Sequence, residues 1–177
     1  MFETFKNIFR KKCLKKSASG IETGMRPIKS IHSAAVLINA GCGEFPKAEK
    51  LVLDYFKAHN IELEIIYLDT SKGGKAKVSA ATEESLITKN DLNWFGRLSK
   101  EKSEKLLSRK KDLFICLTGR CDFTVKLLSA AFPATFKIGG ETSAYDEYDI
   151  VVHASSDTDK GISELFSTVT TILESIR

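Results

Sequence analysis

The sequence predicts an α/β protein of three layers (αβα): a mostly parallel, Rossmann-like sheet of five or six strands, helices on both sides, and an appended N-terminal helix. Three observations lead there. Strand-like and helix-like segments alternate along 177 residues, a length that suits one domain with a full core. The central strand, Leu113-Phe114-Ile115-Cys116-Leu117, reads as an unbroken apolar run, and such a run suits a strand covered on both faces. Residues 112–131 then pass from that strand through Thr118-Gly119-Arg120 into an apolar helix with Asp122 as its N-cap. A buried strand turning directly into a buried helix is the middle of an open α/β sheet.

Composition narrows the class of protein. Apolar residues make up 42% and charged ones 28%, ordinary for a soluble domain. No apolar run approaches the roughly 20 residues of a membrane-spanning helix, and charge interrupts the N-terminus too often for a secretory signal. The expected location is the cytoplasm. The net charge of +4 is unevenly placed: residues 1–16 hold six Lys/Arg against Glu3 alone, while the other residues hold 21 bases and 22 acids. The basicity therefore belongs to a terminal arm, and a nearly neutral body argues against nucleic-acid binding. Cys13, Cys42, Cys116 and Cys121 form no C-x-x-C pair, and His32, His59 and His153 are scattered, so no zinc spacing exists. Free thiols in a reducing compartment are expected. No metal and no cofactor is expected.

Taken in order, Phe2, Phe5, Phe9 and Cys13 recur at three- and four-residue steps, so residues 2–16 read as an amphipathic helix with a basic outer side. Packing of its phenylalanines on the body is the expected arrangement; contact with an anionic membrane surface or a partner and an arm laid along nucleic acid are the functional alternatives. Residues 17–30 have turn-type composition and read as a linker, leaving 31–177 as a single α/β domain. Ala34–Asn39 is the first buried strand. A helix with Leu51, Val52, Tyr55 and Phe56 inward follows, ending near Asn60, a residue that tolerates left-handed backbone. Ile61–Leu68 is the second strand, joined to the first by a right-handed crossover. The segment 69–81 contains Gly73-Gly74-Lys75 but lacks the phosphate-loop spacing, so a surface loop is expected.

Glu84–Thr88 reads as a short third strand leading into Lys89-Asn90-Asp91-Leu92-Asn93-Trp94-Phe95-Gly96. This octet holds the only tryptophan, short side chains able to bond nearby backbone, and a closing glycine. A capped turn is expected, with Trp94 and Phe95 plugging the edge of the core; as a functional surface the two rings would line a ligand or partner site. Ser99 caps a lysine-rich helix with Leu106 and Leu107 inward. After the central strand and its helix, Ala134–Ile138 forms a fifth strand stopped by Gly139-Gly140. An acidic loop follows, then a last strand at 149–153. The final helix carries Ile162, Leu165, Phe166, Val169, Ile172, Leu173 and Ile176 on one stripe, with Asp157 or Asp159 as its cap.

In open parallel sheets, ligands sit outside the carboxyl ends of the strands, near the point where strand order reverses. Two loops have the position and composition for this: Gly41-Cys42-Gly43 after the first strand, and Gly119-Arg120-Cys121 after the central one. If those strands are neighbours, the loops face each other. The glycines would admit a ligand to backbone N–H groups, and Arg120 would pair with an anion. Gly41-Cys42-Gly43 is only part of a dinucleotide fingerprint, with Pro46 where the third glycine would fall, although Asp69 ends the second strand where ribose recognition would need an acid. A nucleophilic Cys42 or Cys121 would need a base beside it, and no histidine falls in a comparable loop.

The element order and the turn Asp91-Leu92-Asn93-Trp94-Phe95-Gly96 resemble an uncharacterised bacterial family, a domain of unknown function in which a basic helix precedes an α/β domain bearing this turn. The resemblance runs over most of the chain and implies no activity. A second likeness covers residues 112–140: strand, polar turn, apolar helix and Phe136-Lys137-Ile138-Gly139 are similar to part of the N-terminal half of heptosyltransferase-type glycosyltransferases. That resemblance implies a second, nucleotide-sugar domain, for which the chain leaves no room. The expectation is a non-enzymatic cytoplasmic domain binding a protein partner or a small anionic ligand at the strand ends. The alternatives are an enzyme acting on a small anionic or nucleotide-like substrate at the same cleft, glycosyltransferase-like or cysteine-dependent and using Cys42, Arg120 or Cys121, and peripheral membrane attachment through residues 2–16. Oligomeric state is not written in the sequence.

Overall fold

The computed structural model describes residues 2–71, 81–82, 84–119, 122–140, 147–152 and 161–177, with the side chains of residues 2–6 left aside. Among the described residues six strands form one sheet, all parallel: β1 (Ser33–Asn39), β2 (Glu62–Asp69), β3 (Leu86–Thr88), β4 (Lys111–Leu117), β5 (Ala134–Gly140) and β6 (Ile150–Val152). Their spatial order is β3-β2-β1-β4-β5-β6. The chain thus steps outward in one direction from β1 and, after β3, returns to build in the other direction from β4. Val36 lies opposite Ile115 in the central pair, and Ile38 opposite Leu117. The two segments on which the proposed cleft depends are therefore neighbours pointing the same way.

The reversal of strand order dictates the layers. A right-handed crossover moving from β1 to β2 must place its helix on one face, and one moving from β4 to β5 on the other. The core divides accordingly. Alternate residues Val36, Ile38, Ile115 and Phe136 pack with Val52 and Phe56 of α2 (Phe45–Ala58) and Phe166 and Val169 of α5 (Ile162–Ser175). Their neighbours Leu37, Ile66 and Phe114 pack with Leu106 of α3 (Lys100–Leu106) and Val125 and Leu128 of α4 (Phe123–Ala131). The period of two along each strand sends half the side chains to each layer, and both halves are apolar.

Local chemistry sets most element ends. Asp122 caps α4, its carboxylate accepting from Val125 N–H at 3.0 Å. Ser99 caps α3 by accepting from Lys102 N–H at 3.4 Å. Asn60 follows α2 with φ of 53°, the left-handed turn that its short polar side chain permits. At the edge where the strands begin, Asp112 fastens β4 to β1: its Oδ2 accepts from His32 N–H, Ser33 N–H and the Ser33 hydroxyl at 2.9, 3.0 and 3.2 Å. Burial pushes its carboxyl up, but these hydrogen bonds outweigh that and hold it below the ordinary value.

Several expectations need correcting. Gly139 and Gly140 do not stop β5, which runs through both. They sit where other parts of the chain press against the strand. A Cβ on Gly139 would lie 2.5 Å from Tyr148 Cζ, and one on Gly140 would lie 3.1 Å from Leu165 Cδ2. Here glycine marks close approach rather than chain reversal. Tyr148, at the end of the acidic segment, is thus a packed residue whose hydroxyl lies 2.6 Å from Ser129 Oγ. Leu51 is exposed rather than inward, since α2 buries Phe45, Ala48, Val52 and Phe56 instead. The last helix begins behind Gly161 without a side-chain cap; Asp157 and Asp159 lie outside the described residues, as does most of the 69–81 loop with Gly73, Gly74 and Lys75. Its apolar stripe is as expected: five of the named residues are buried and Ile172 and Ile176 pack against them.

The N-terminal helix α1 (Phe2–Ser17) lies against α4, where Cys13 and Leu14 join Phe123 and Leu127. The Arg10 guanidinium stands 5.0 Å from the Phe123 ring centroid, a cation–π contact. Beyond the helix, Ser19 N–H donates to Ala130 C=O and Gly24 N–H to Thr135 C=O, so the connecting segment is fastened to the body.

Candidate functional site

β1, β2 and β4 share one feature at their finishing ends: an apolar run closes on a polar residue. These residues, Asn39, Asp69 and Thr118, are buried at 3%, 2% and 1% exposure. The sheet puts them side by side, because Asn39 is opposite Leu68 in β2 and Ile38 is opposite Leu117 in β4. Burying three polar groups in a row is costly unless each finds a partner, and each has a local one. Asn39 Oδ1 accepts from Gly41 N–H at 3.1 Å. Asp69 Oδ1 accepts from Ser71 N–H and hydroxyl at 3.0 and 2.6 Å. The Thr118 hydroxyl lies 3.5 Å from Cys116 Sγ.

Of the residues expected to bind a ligand, Gly41 lies at the centre of this row. A Cβ there would stand 3.3 Å from Asp69 Oδ1 and 3.4 Å from Asn39 Oδ1, so only glycine lets the two side chains close over the turn without adjustment. Cys42 is buried and its thiol donates to Asn39 C=O at 3.2 Å, a structural role rather than a nucleophile's exposure. Gly43 is exposed, with open space where a side chain would go. Gly119 takes φ of 60° immediately after Thr118, a conformation that favours glycine. Arg120 and Cys121 lie outside the described residues. His32 precedes β1 and His59 precedes β2, so both stand at the opposite edge of the sheet from Cys42. Among the described residues no group of three or more His, Cys, Asp or Glu side chains is placed to hold a metal.

The sequence reading singled out the glycine turns and Asp69 but passed over Asn39, Ser71 and Thr118. The signal was present in each case as a polar residue closing, or just beyond, an apolar run. It becomes meaningful only when strand order shows that the runs end side by side.

The octet forms a tightly bonded turn on the same side of the sheet. Asp91 Oδ2 accepts from Thr88 N–H and hydroxyl, both at 2.7 Å, and Asp91 Oδ1 pairs with Lys102 Nζ at 2.9 Å. Burial works against the Asp91 charge, yet these partners prevail and keep its carboxyl below the ordinary value. Asn93 Oδ1 accepts from Phe95 N–H and Arg97 N–H, both at 3.0 Å. Gly96, at φ of 81°, closes the turn, and its C=O accepts from the Thr124 hydroxyl of α4 at 2.8 Å.

With the backbone spent in this way, the two aromatic residues part company. Phe95 is half-buried against Phe9 of α1, ring centroids 4.7 Å apart, while Trp94 is 80% exposed. Trp94 therefore does not plug the core; Ile87 and Leu98 fill that place. Beside β3 a depression of about 420 Å³ is lined by Asp91, Lys102, Lys105 and Glu101 among others. Its charges are already matched, with Lys105 paired to Glu84 and Glu101 at 3.5 and 3.4 Å.

A model of a family of unknown function, DUF6913, matches residues 6–172, so the chain belongs to that family. No curated protein matches the chain. Among the described residues no helix is long and apolar enough to cross a membrane.

Proposed function

We propose that this DUF6913 member is a non-enzymatic binding domain whose ligand is a small, hydroxyl-bearing anion seated over the finishing ends of β1, β2 and β4. The row Asn39, Asp69 and Thr118 supports this reading best. Three buried polar side chains on adjacent strands lie beside two glycine-containing turns, at the place where strand order reverses. Asp69 and Asn39 offer acceptors to ligand hydroxyls, the Gly41 turn offers close backbone approach, and Arg120, next in the chain to Gly119, supplies a cation for an anionic group. Binding without catalysis is favoured by the placement of Cys42, whose thiol is bonded to backbone and far from His32 and His59. The reading places the protein in a reducing compartment, the cytoplasm, in keeping with the buried free thiols of Cys13, Cys42 and Cys116.

A thermal-shift screen of the full chain against nucleotides, sugar phosphates and inorganic phosphate tests this. A ligand at 100 times its Kd stabilises by about 2.7 kcal/mol, which for a domain of this size raises Tm by roughly 5–10 °C. The expected result is such a rise within one chemical class, lost in Asp69→Asn and in Arg120→Gln. No rise in any class, or one that survives both substitutions, would refute the site.

A further inference from the structure

Trp94, Ile8 and Phe9 are large apolar side chains left outside the fold, at 80%, 52% and 40% exposure. They are not scattered. Phe9 is in ring contact with Phe95, and Trp94 is the adjoining residue of the same turn. Isolated exposed apolar residues need no account, but a group of them held together by a bonded turn and a docked helix marks an interaction surface.

Charge identifies what that surface meets. Residues 7–17 of α1 contain Arg10, Lys11, Lys12, Lys15 and Lys16 and no acid. Arg10 and Cys13 face α4, so at 100° per residue Ile8, Lys11, Lys12 and Lys15 share the opposite side, with Phe9 and Lys16 flanking them. All four lysines are exposed, and among the described residues none is engaged in an ion pair. We propose that this face of α1, together with the Trp94 turn, rests on an anionic lipid bilayer. Trp94, Phe9 and Ile8 enter the headgroup region, and Lys11, Lys12, Lys15 and Lys16 lie among the lipid anions.

Lipid fits better than the other polyanions. Nucleic-acid surfaces favour planar guanidinium forks and stacking rings; here the helix's one arginine is committed to Phe123, and Ile8 in the midst of the lysines cannot stack on a base. Protein interfaces are depleted in lysine, which must be immobilised and dehydrated there. At a bilayer the lysine stems lie along the apolar boundary while their ammonium groups stay hydrated. An exposed tryptophan beside them is the residue enriched at that depth. This surface is separate from the strand-end site, and the proposal does not rest on it.

The chain carries a single tryptophan, so Trp94 reports on its own surroundings. The full chain is mixed at about 0.15 M salt with phosphatidylcholine vesicles containing about one third phosphatidylserine, with pure phosphatidylcholine vesicles, and with duplex DNA. The expected result is co-sedimentation with the anionic vesicles alone, accompanied by a blue shift of Trp94 emission and its quenching by brominated lipid. Replacing Lys11, Lys12, Lys15 and Lys16 together by Gln should weaken binding on the order of a thousandfold. Trp94→Ala should weaken it about tenfold; both variants keep the wild-type circular dichroism because the changed side chains are exposed. Equal binding to both vesicle types, no binding, retention of binding in either variant, or a preference for DNA would overturn the proposal.

Discussion

Where the strands start, polar groups are tied across the sheet. Asp112 gathers three donors from the entry of β1, and buried Lys111 reaches Glu62 and Glu64 of β2 at 3.0 and 3.4 Å. Where the strands finish, Asn39 and Asp69 bond within their own turns, to Gly41 and Ser71. The first arrangement crosses between strands and fixes register. The second shapes loops around the reversal point. Both ends bury charged and polar side chains, so polarity and burial alone do not mark a binding site; the span of the hydrogen bonds separates a clamp from a rim.

Removing the clamp should produce the largest effect. Asp112→Ala leaves two backbone N–H groups and a hydroxyl at the β1 entry without their acceptor, and hydrogen bonds to a charged group carry the upper range of such contributions. A loss of about 2–3 kcal/mol in urea unfolding is expected, against a smaller loss for Asp69→Asn, whose remaining carbonyl oxygen still accepts from Ser71. Because the Asp112 carboxyl is held below its ordinary value of 3.8, its contribution is complete above that pH and declines as pH falls through the lower folded value. Equal losses for the two substitutions would erase the distinction between the ends.

The finishing edge is itself divided. At β1 the space above Gly41 is bounded by polar atoms, whereas at β5 the space above Gly139 is filled by the Tyr148 ring. Gly139→Ala should therefore cost about 1–3 kcal/mol through overpacking. In the Tyr148→Ala background the same change should cost much less, and a double-mutant cycle measures the difference. Additive losses would mean that the ring does not hold this position.

Much of this architecture was legible in the residues. The unbroken apolar runs of β1 and β4, and the apolar second half of β2, announced a sheet covered on both faces, and Asp122 and Ser99 announced helix starts, because these signals are local. Gly139-Gly140 and Trp94 misled for the opposite reason. A glycine pair reads as a turn until the ring that presses on it is known, and an aromatic pair reads as core until the turn's own hydrogen bonds are seen to aim one ring outward. The Asn39–Asp69–Thr118 row was visible only as three separate strand ends. Its meaning depends on β1 lying between β2 and β4, which loop lengths do not disclose.

The smallest effect separates burial at the two ends through pH. Lys137, on β5, is buried with its ammonium donating to Ser129 C=O at 2.7 Å and Ala130 C=O at 3.3 Å, both in the last turn of α4. Burial lowers its pKa from 10.5 to about 8, and the charges of Glu147 and Asp149 pull it only part of the way back. Below pH 8 both folded and unfolded chains hold this proton, and the burial cost is present in full. As pH rises past 8 the folded protein releases a proton that the unfolded chain keeps, so stability should increase. From about pH 9 the buried Cys116 thiol, pushed up by desolvation, opposes the trend, and Tyr55, raised to about 12, opposes it further above pH 10. Urea midpoints between pH 8 and pH 9 should therefore climb in the wild type and level off or fall slightly in Lys137→Met, which keeps the apolar stem but not the titrating group. Parallel slopes for the two proteins would show that the α4 carbonyls hold a permanently charged ammonium, and the β5 end of the sheet would then be another clamp.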